Sequence, residues 1–183
     1  KEEALIELKN SINYLQQHGF SDIAVALEDA SRGSYRLLTE LILLCIDMNV
    51  TTITIADTVG CALPEKTTRL IQHCRNLIPD NIELGIHCHN DMGLAVANTL
   101  AAIDAGATIA QTTLGGIGER AGNCALEELF TAIHFNDESA HQLAINPETL
   151  AESCHTFFTI MNKSIPGNKP ILGEHVFSTA AGI

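Results

Sequence analysis

The sequence predicts an α/β protein built on a parallel β-sheet. Apolar residues recur with a period of two over short segments and with a period near 3.6 over the longer segments between them, which is the pattern of consecutive βα units. Four such units follow one unpaired amphipathic helix. With 183 residues, of which 46% are hydrophobic, the chain is long enough to bury a sizeable core.

The predicted elements follow from these periods and from the glycine and proline residues between them. Strands are predicted at residues 23–27, 51–56, 82–87 and 108–113. Helices are predicted at residues 1–18, 34–48, 64–77, 94–105, 124–134 and 146–162. A segment rich in glycine, proline and lysine, residues 164–173, is expected to act as a linker that leads into a short extended stretch ending at Ile183.

Strand alternation places small and polar residues on one face of this sheet and Ile, Val and Leu on the other. A polar lumen and an apolar helix-facing side are typical of a (β/α)₈ barrel, which has eight units in about 250 residues. The four units here therefore predict the C-terminal half of a (β/α)₈ TIM barrel, over residues 1–135. Residues 136–183 are predicted to be the start of a small helical linker subdomain.

Composition narrows the classes of function. The formal net charge of -12 provides no basic patch and argues against nucleic-acid binding. The sequence shows no signal peptide, no apolar run of eighteen residues and no lipidation motif, so we expect no membrane association and a cytoplasmic location. The six cysteines form no C-x-x-C pair and fall mostly in apolar segments, which predicts reduced core thiols.

The end of the third predicted strand leads into the run Gly85-Ile86-His87-Cys88-His89-Asn90-Asp91-Met92-Gly93. Side chains two apart on a strand point to the same face, so His87 and His89 are expected to lie side by side and could ligate one metal ion. The alternative is that both are ordinary polar groups at a strand end.

Three other strand ends carry polar residues: Glu28 to Arg32, Asp57 to Gly60, and Gly115 to Asn123. Each has a structural alternative, since Asp57 could cap a turn and Glu28 could form a local salt bridge with Arg32. Their convergence at the carboxyl end of one sheet favours a functional site.

The run Gly116-x-Gly118-x-x-Ala121 also fits a relaxed dinucleotide-binding fingerprint. Glu119 opposes this reading because it would place a carboxylate where a pyrophosphate should bind.

The sequence resembles the 2-isopropylmalate, homocitrate and citramalate synthases, the acyltransferase branch of a superfamily of metal-dependent TIM-barrel synthases and lyases. The run from His87 to Asn98 matches that family's H-x-H-[ND]-D-x-G-x-A-x-A-N motif, and Gly116 to Asn123 matches G-[IL]-G-E-R-A-G-N. Asn168 to Gly173 is similar to the entry to the family's second subdomain. Related 3-hydroxy-3-methylglutaryl-CoA lyases keep the His pair but lack the second run, which favours a synthase.

The resemblance implies a role for each matching residue. His87, His89 and Asn123 would ligate a divalent metal, Zn²⁺, Mn²⁺ or Mg²⁺, which polarises the carbonyl of a 2-oxo acid. Glu28 would help to activate a proton acceptor at the acetyl-CoA end, and the Thr58 hydroxyl would contact the 2-oxo acid carboxylate. Glu119 and Arg120 are expected to be a buried pair that shapes the turn presenting Asn123.

Two family features are missing from the sequence: an Asp-x-x-x-Arg-Asp-Gly type motif, and a His that follows Ile183 and acts across a homodimer. The chain alone is therefore expected to have no synthase activity. The implied function is condensation of acetyl-CoA with 2-oxoisovalerate to give 2-isopropylmalate in leucine biosynthesis. Homocitrate synthase, citramalate synthase and acyl-CoA lyase are alternatives within the superfamily, and a non-catalytic fragment or binding module is the alternative outside it.

Overall fold

A computed structural model describes residues 2–136, 141–176 and 178–179. The chain divides into two compact units, residues 1–111 and 112–183. The first unit contains a parallel sheet in the order β1-β2-β3-β4. Its strands are β1 (Ala24–Leu27), β2 (Thr52–Asp57), β3 (Glu83–Cys88) and β4 (Ile109–Gln111), and its helices are α1 (Glu2–Gln17), α2 (Tyr35–Asp47), α3 (Pro64–Arg75) and α4 (Ala95–Asp104). The predicted elements of this unit are confirmed, with ends that differ by no more than two residues.

The strand register confirms the predicted faces of the sheet. Thr54 lies beside Ala26 on one side and beside Gly85 on the other, and His87 lies between Ala56 and Gln111. The alternate residues form the core: Ile53, Ile55, Leu84 and Ile86 are all buried. The face that carries His87 is therefore the small and polar one, and the opposite face packs apolar side chains.

The second unit contains a short 3₁₀ turn (Leu114–Gly116), α5 (Leu126–His134) and α6 (Pro147–Ile160). Its core is a cluster of Phe130, Leu150 and Cys154, against which Leu114, Leu126, Ile145 and Leu172 pack. The loop that follows α6 is a series of hydrogen-bonded turns, for example from His175 N to Gly167 O at 2.9 Å. The stretch predicted to be extended therefore forms turns as far as Val176. Most of its remaining residues lie outside the described part of the chain. The predicted domain boundary after residue 135 stays a prediction.

A buried carboxylate joins the loops that follow β1 and β2. Asp57 is 3% exposed, and its Oδ1 accepts a hydrogen bond of 2.6 Å from the hydroxyl of Ser31. The backbone amides of Cys61 and Ala62 also donate to this carboxylate, at 3.4 and 3.1 Å. Backbone bonds add to the tie, since Ala30 N donates to Ala56 O. Asp57 therefore caps its own turn, as the structural alternative predicts. Through Ser31 it also holds the loop that follows β1.

Removing this carboxylate should destabilise the first unit. Asp57→Ala leaves the Ser31 hydroxyl and the Ala62 amide buried without an acceptor, and we expect a loss of about 2–3 kcal/mol in the free energy of unfolding. Ser31→Ala, which removes one donor and leaves the amides, should cost about 1 kcal/mol. Urea unfolding followed by circular dichroism measures both, and equal losses in the two variants would contradict the proposed tie.

All six cysteines are free, as predicted, and only Cys61 is not fully buried. Burial raises the pKa of Cys45 to about 11 and that of Cys74 to about 12. Burial, reinforced by the charge of Glu127, raises the pKa of Cys154 to about 11. These thiols stay protonated at neutral pH, and the thiolate is the reactive form.

Alkylation should therefore begin at Cys61. With iodoacetamide at pH 8, we expect Cys61 to react at least about 100-fold faster than Cys45 and Cys74. The reason is that Cys61 is partly accessible, whereas Cys45 and Cys74 are buried and their thiols stay protonated. Mass spectrometry of timed digests gives the individual rates, and Cys61→Ser should remove the fast phase. Labelling of Cys74 as fast as that of Cys61 in the folded chain would contradict this packing.

Candidate active site

The two histidines at the end of β3 lie side by side. His87 is the fifth residue of the strand and half-buried, whereas His89 follows the strand and is 7% exposed. Their Nε2 atoms are 3.4 Å apart, and the ring planes are perpendicular with centroids 4.8 Å apart. Two nitrogens bound to one Zn²⁺ at 2.0–2.1 Å are separated by about 2.8–3.4 Å for bond angles from 90° to tetrahedral. The observed spacing fits a shared ion.

A backbone carbonyl selects the tautomer of His89. Its Nδ1 lies 2.7 Å from the carbonyl oxygen of Thr58. A carbonyl oxygen can only accept, so Nδ1 carries the proton and Nε2 of the neutral ring presents its lone pair towards His87. Metal-ligating histidines commonly donate their other ring N–H to a carbonyl in this way. The neighbouring loop thus leaves the Nε2 atom of His89 available as a ligand.

A third ligand is needed to complete a metal site. Within residues 2–136, 141–176 and 178–179, no group of three or more His, Cys, Asp or Glu could hold a metal ion. The predicted third ligand, Asn123, is an amide, and its Oδ1 is buried without a hydrogen-bond partner among the described residues. An unpaired buried oxygen suits a metal ligand, and the donor set of two imidazoles and an amide fits Zn²⁺ or Mn²⁺. That these three residues meet at one ion stays a prediction.

Glu28 and Thr58 follow neighbouring strands. Glu28 comes directly after β1 and is exposed. The Thr58 hydroxyl accepts a hydrogen bond of 2.8 Å from the backbone N–H of Asp29, next to Glu28. Thr58 therefore touches the loops of both neighbouring strands, because its hydroxyl contacts Asp29 and its carbonyl contacts His89.

The structural alternative for Glu28, a salt bridge to Arg32, is wrong. Arg32 instead pairs with Asp29 through two hydrogen bonds, at 2.8 Å from Nε and 2.7 Å from Nη2. The bond from Arg32 holds the pKa of Asp29 below its usual value, and the same pair raises the pKa of Arg32. The planar guanidinium of Arg32 thus binds both oxygens of the Asp29 carboxylate.

Backbone packing in the glycine-rich turn positions Asn123. The Asn123 N–H donates to the Gly116 carbonyl at 3.0 Å. Gly122 has a φ of +90°, and a Cβ there would lie 2.0 Å from the Gly116 oxygen. A Cβ on Gly118 would lie 2.7–2.8 Å from the carboxamide atoms of Asn123. Glycine at 122 permits this path of the backbone, and glycine at 118 leaves room for the Asn123 carboxamide.

Two predictions for this turn need correction. Glu119 and Arg120 do pair, at 3.1 Å, but their side chains are 65% and 42% exposed, so the predicted burial is wrong. The turn is held by backbone bonds instead, such as that from Gly122 N to Glu119 O. The dinucleotide alternative also fails, because α5 begins only at Leu126 and no helix N-terminus follows the glycines directly.

Sequence reasoning anticipated turn capping by Asp57 but missed its bond to Ser31 and the buried salt bridge of Lys169, which lies 3.0 Å from Glu127. Residues far apart in sequence form both contacts, and neither contact has a periodic pattern. An Asp at the end of a buried strand indicates a cap for the next turn but not a bond to a second loop.

Known proteins are similar to this chain over its whole length. The family model described as HMGL-like matches residues 1–153. A 2-isopropylmalate synthase from Sediminispirochaeta smaragdinae is 39% identical over all of this chain and 37% of its own length. A homocitrate synthase from Sulfolobus acidocaldarius is 37% identical over all of this chain and 38% of its own length. The chain thus spans well under half the length of these curated relatives.

Solved structures show the same architecture. An HMG-CoA lyase from A. baumannii, in complex with coenzyme A and 3-methylmalate, superposes with a TM-score of 0.73 at 26% identity, over 91% of this chain and 56% of that one. The HMG-CoA lyase of Bacillus subtilis gives a TM-score of 0.75 at 20% identity, over 98% and 61%. The parallel half-barrel, its His-x-His strand end and the family match lead to one conclusion: the chain belongs to the HMGL-like family.

Proposed function

We propose that this chain carries part of the active site of an acyltransferase that condenses acetyl-CoA with 2-oxoisovalerate to give 2-isopropylmalate. The observation that carries the proposal is the His pair, with Nε2 atoms 3.4 Å apart and with His89 fixed in one tautomer by the Thr58 carbonyl. The relatives named 2-isopropylmalate synthase, at 35–41% identity, support the choice of reaction. A cytoplasmic homodimer acting in leucine biosynthesis is part of the proposal.

The proposed metal site consists of His87, His89 and Asn123. A divalent ion held there would act as a Lewis acid on the keto carbonyl of the 2-oxo acid. His89 contributes a neutral nitrogen whose direction is fixed by its bond to Thr58. Asn123 contributes a buried amide oxygen and adds no charge, so the site keeps its net attraction for an anionic substrate.

Glu28 and Thr58 act on the two substrates. Glu28 orients the acceptor that takes a proton from the methyl group of acetyl-CoA. The enolate that results attacks the keto carbon of the 2-oxo acid. The keto oxygen becomes an alkoxide and then takes up a proton. Water cleaves the thioester and releases the CoA thiol and a second carboxylate. The Thr58 hydroxyl binds the carboxylate of the 2-oxo acid, and its contact with Asp29 N sets its position beside Glu28.

The alternatives differ in substrate or in class. The run from Gly116 to Asn123 supports a synthase over an acyl-CoA lyase. A homocitrate synthase among the relatives keeps homocitrate formation open, and citramalate formation is a further alternative. Assay of the complete enzyme with the 2-oxo acid that each product requires separates these possibilities. A binding module would turn over none of them.

Metal binding by the chain should depend on the His pair. Titration with Mn²⁺ or Zn²⁺ should show that His87→Ala and His89→Ala each weaken binding at least about 10-fold, because each removes a ligand. His155→Ala is the control, since this histidine lies exposed on α6. If His89→Ala and His155→Ala bind the ion equally well, the proposed site is wrong.

Catalysis in the complete enzyme should depend on Glu28. Glu28→Gln should lower kcat about 100-fold or more with a smaller effect on KM for the 2-oxo acid, because an amide keeps the shape but cannot assist a base. Glu65→Gln, at an exposed position in the first turn of α3, is the control. A Glu28 variant with near-normal kcat and a lowered Tm would instead assign this residue a purely structural role.

A further inference from the structure

A buried ion pair joins α5 to the loop that follows α6, next to the turn that carries Asn123. Glu127, in the first turn of α5, is only 1% exposed. Its Oε1 lies 3.0 Å from Nζ of Lys169, in the loop that follows α6. Its Oε2 accepts a hydrogen bond of 3.0 Å from the backbone N–H of Gly115. One carboxylate therefore connects the loop after α6 to the 3₁₀ turn.

This carboxylate is attached close to Asn123. Gly115 adjoins Gly116, whose carbonyl accepts the N–H of Asn123 at 3.0 Å. On the other side of the turn, Thr113 pairs with Ala125, two residues after Asn123. The path from Lys169 to Asn123 thus runs through one ion pair, two hydrogen bonds and the peptide link between Gly115 and Gly116. Movement of Gly115 would be passed to the Asn123 backbone directly.

The loop that supplies Lys169 is itself firmly held. The Lys169 ammonium also pairs with Glu128, the next residue on α5. Burial opposes its charge, but the bonds to Glu128 and Glu127 outweigh burial and raise the pKa of Lys169. Backbone bonds close the loop, from Lys169 N to Pro166 O and from Gly173 N to Lys169 O. Ile171 has a φ of +68°, a conformation that a β-branched residue adopts only where its surroundings impose it.

We infer that Lys169 is a positioning residue, which acts through Glu127 and Gly115 to hold the turn that presents Asn123. The reason is electrostatic. One oxygen of the buried Glu127 carboxylate lies 3.0 Å from the Lys169 ammonium while the other accepts the Gly115 N–H, so the cation holds the carboxylate in the position that this bond requires. Without Lys169, the carboxylate loses that partner and its bond to Gly115 loosens. The functional part of this inference, an effect on metal affinity, rests on the proposed function.

The test compares three variants of the chain. Lys169→Met removes the cation and keeps the length of the side chain. Lys169→Arg keeps the cation, and Glu128→Gln removes the partner that does not contact Gly115. Amide hydrogen exchange by NMR reports the Gly115 and Asn123 N–H groups, with Leu129 in the middle of α5 as the internal reference. Mn²⁺ titration reports metal affinity.

In Lys169→Met we expect exchange at Gly115 and Asn123 to accelerate about 10-fold or more while Leu129 changes less than about two-fold. Mn²⁺ affinity should fall several-fold. In Lys169→Arg and Glu128→Gln, both quantities should stay within about two-fold. If the unmodified chain binds no Mn²⁺, the proposed function fails, and the exchange rates still decide the positioning role.

Unchanged exchange at Gly115 and Asn123 in folded Lys169→Met would overturn the inference. Equal acceleration in Glu128→Gln would overturn it as well, because the effect would then reflect general loss of charge rather than the path through Glu127. Lys169→Gln replaces the Met variant if that chain does not fold, with the same expected and contradicting results.

Discussion

The candidate site depends on how the end of β2 is tied to its two neighbours. Asp57 is buried, and its carboxylate binds the Ser31 hydroxyl and two backbone amides of its own turn. Thr58, the next residue, accepts the Asp29 N–H with its hydroxyl and the His89 Nδ1–H with its carbonyl. Three strand ends are thereby locked together. Parallel strands alone bring these ends to one edge of the sheet, but the Asp57-Thr58 pair sets their relative positions.

This tie has a chemical consequence at His89. A histidine with a free choice of tautomer would present a lone pair or a proton towards His87 with similar ease. The carbonyl of Thr58 removes that choice, so the Nε2 lone pair is already in place for a cation. In the proposed metal site, preorganisation of this kind would reduce the cost of binding, because the ring would not need to rotate or change tautomer.

Most of the fold and part of the site could be predicted from the sequence. The periods of two and 3.6 locate each βα unit, and strand parity places His87 on the same face as Thr54 and Ala56, whereas only the structure gives the register between strands. Contacts between residues distant in the chain have no such pattern, so the Lys169–Glu127 ion pair could not be anticipated. The exposure of Glu119 could not be predicted either, because a charged pair within a conspicuous motif looks the same in sequence whether buried or exposed.

The most direct measurement of the central claim is the ¹⁵N NMR spectrum of the His87 and His89 rings, recorded with and without Zn²⁺. Without the ion, His89 should show the Nδ1–H tautomer, in agreement with its bond to Thr58. Addition of Zn²⁺ should shift the Nε2 resonances of both rings together and leave Nδ1 of His89 protonated. An Nε2–H tautomer for His89, or Nε2 resonances that do not respond to the ion, would contradict the account.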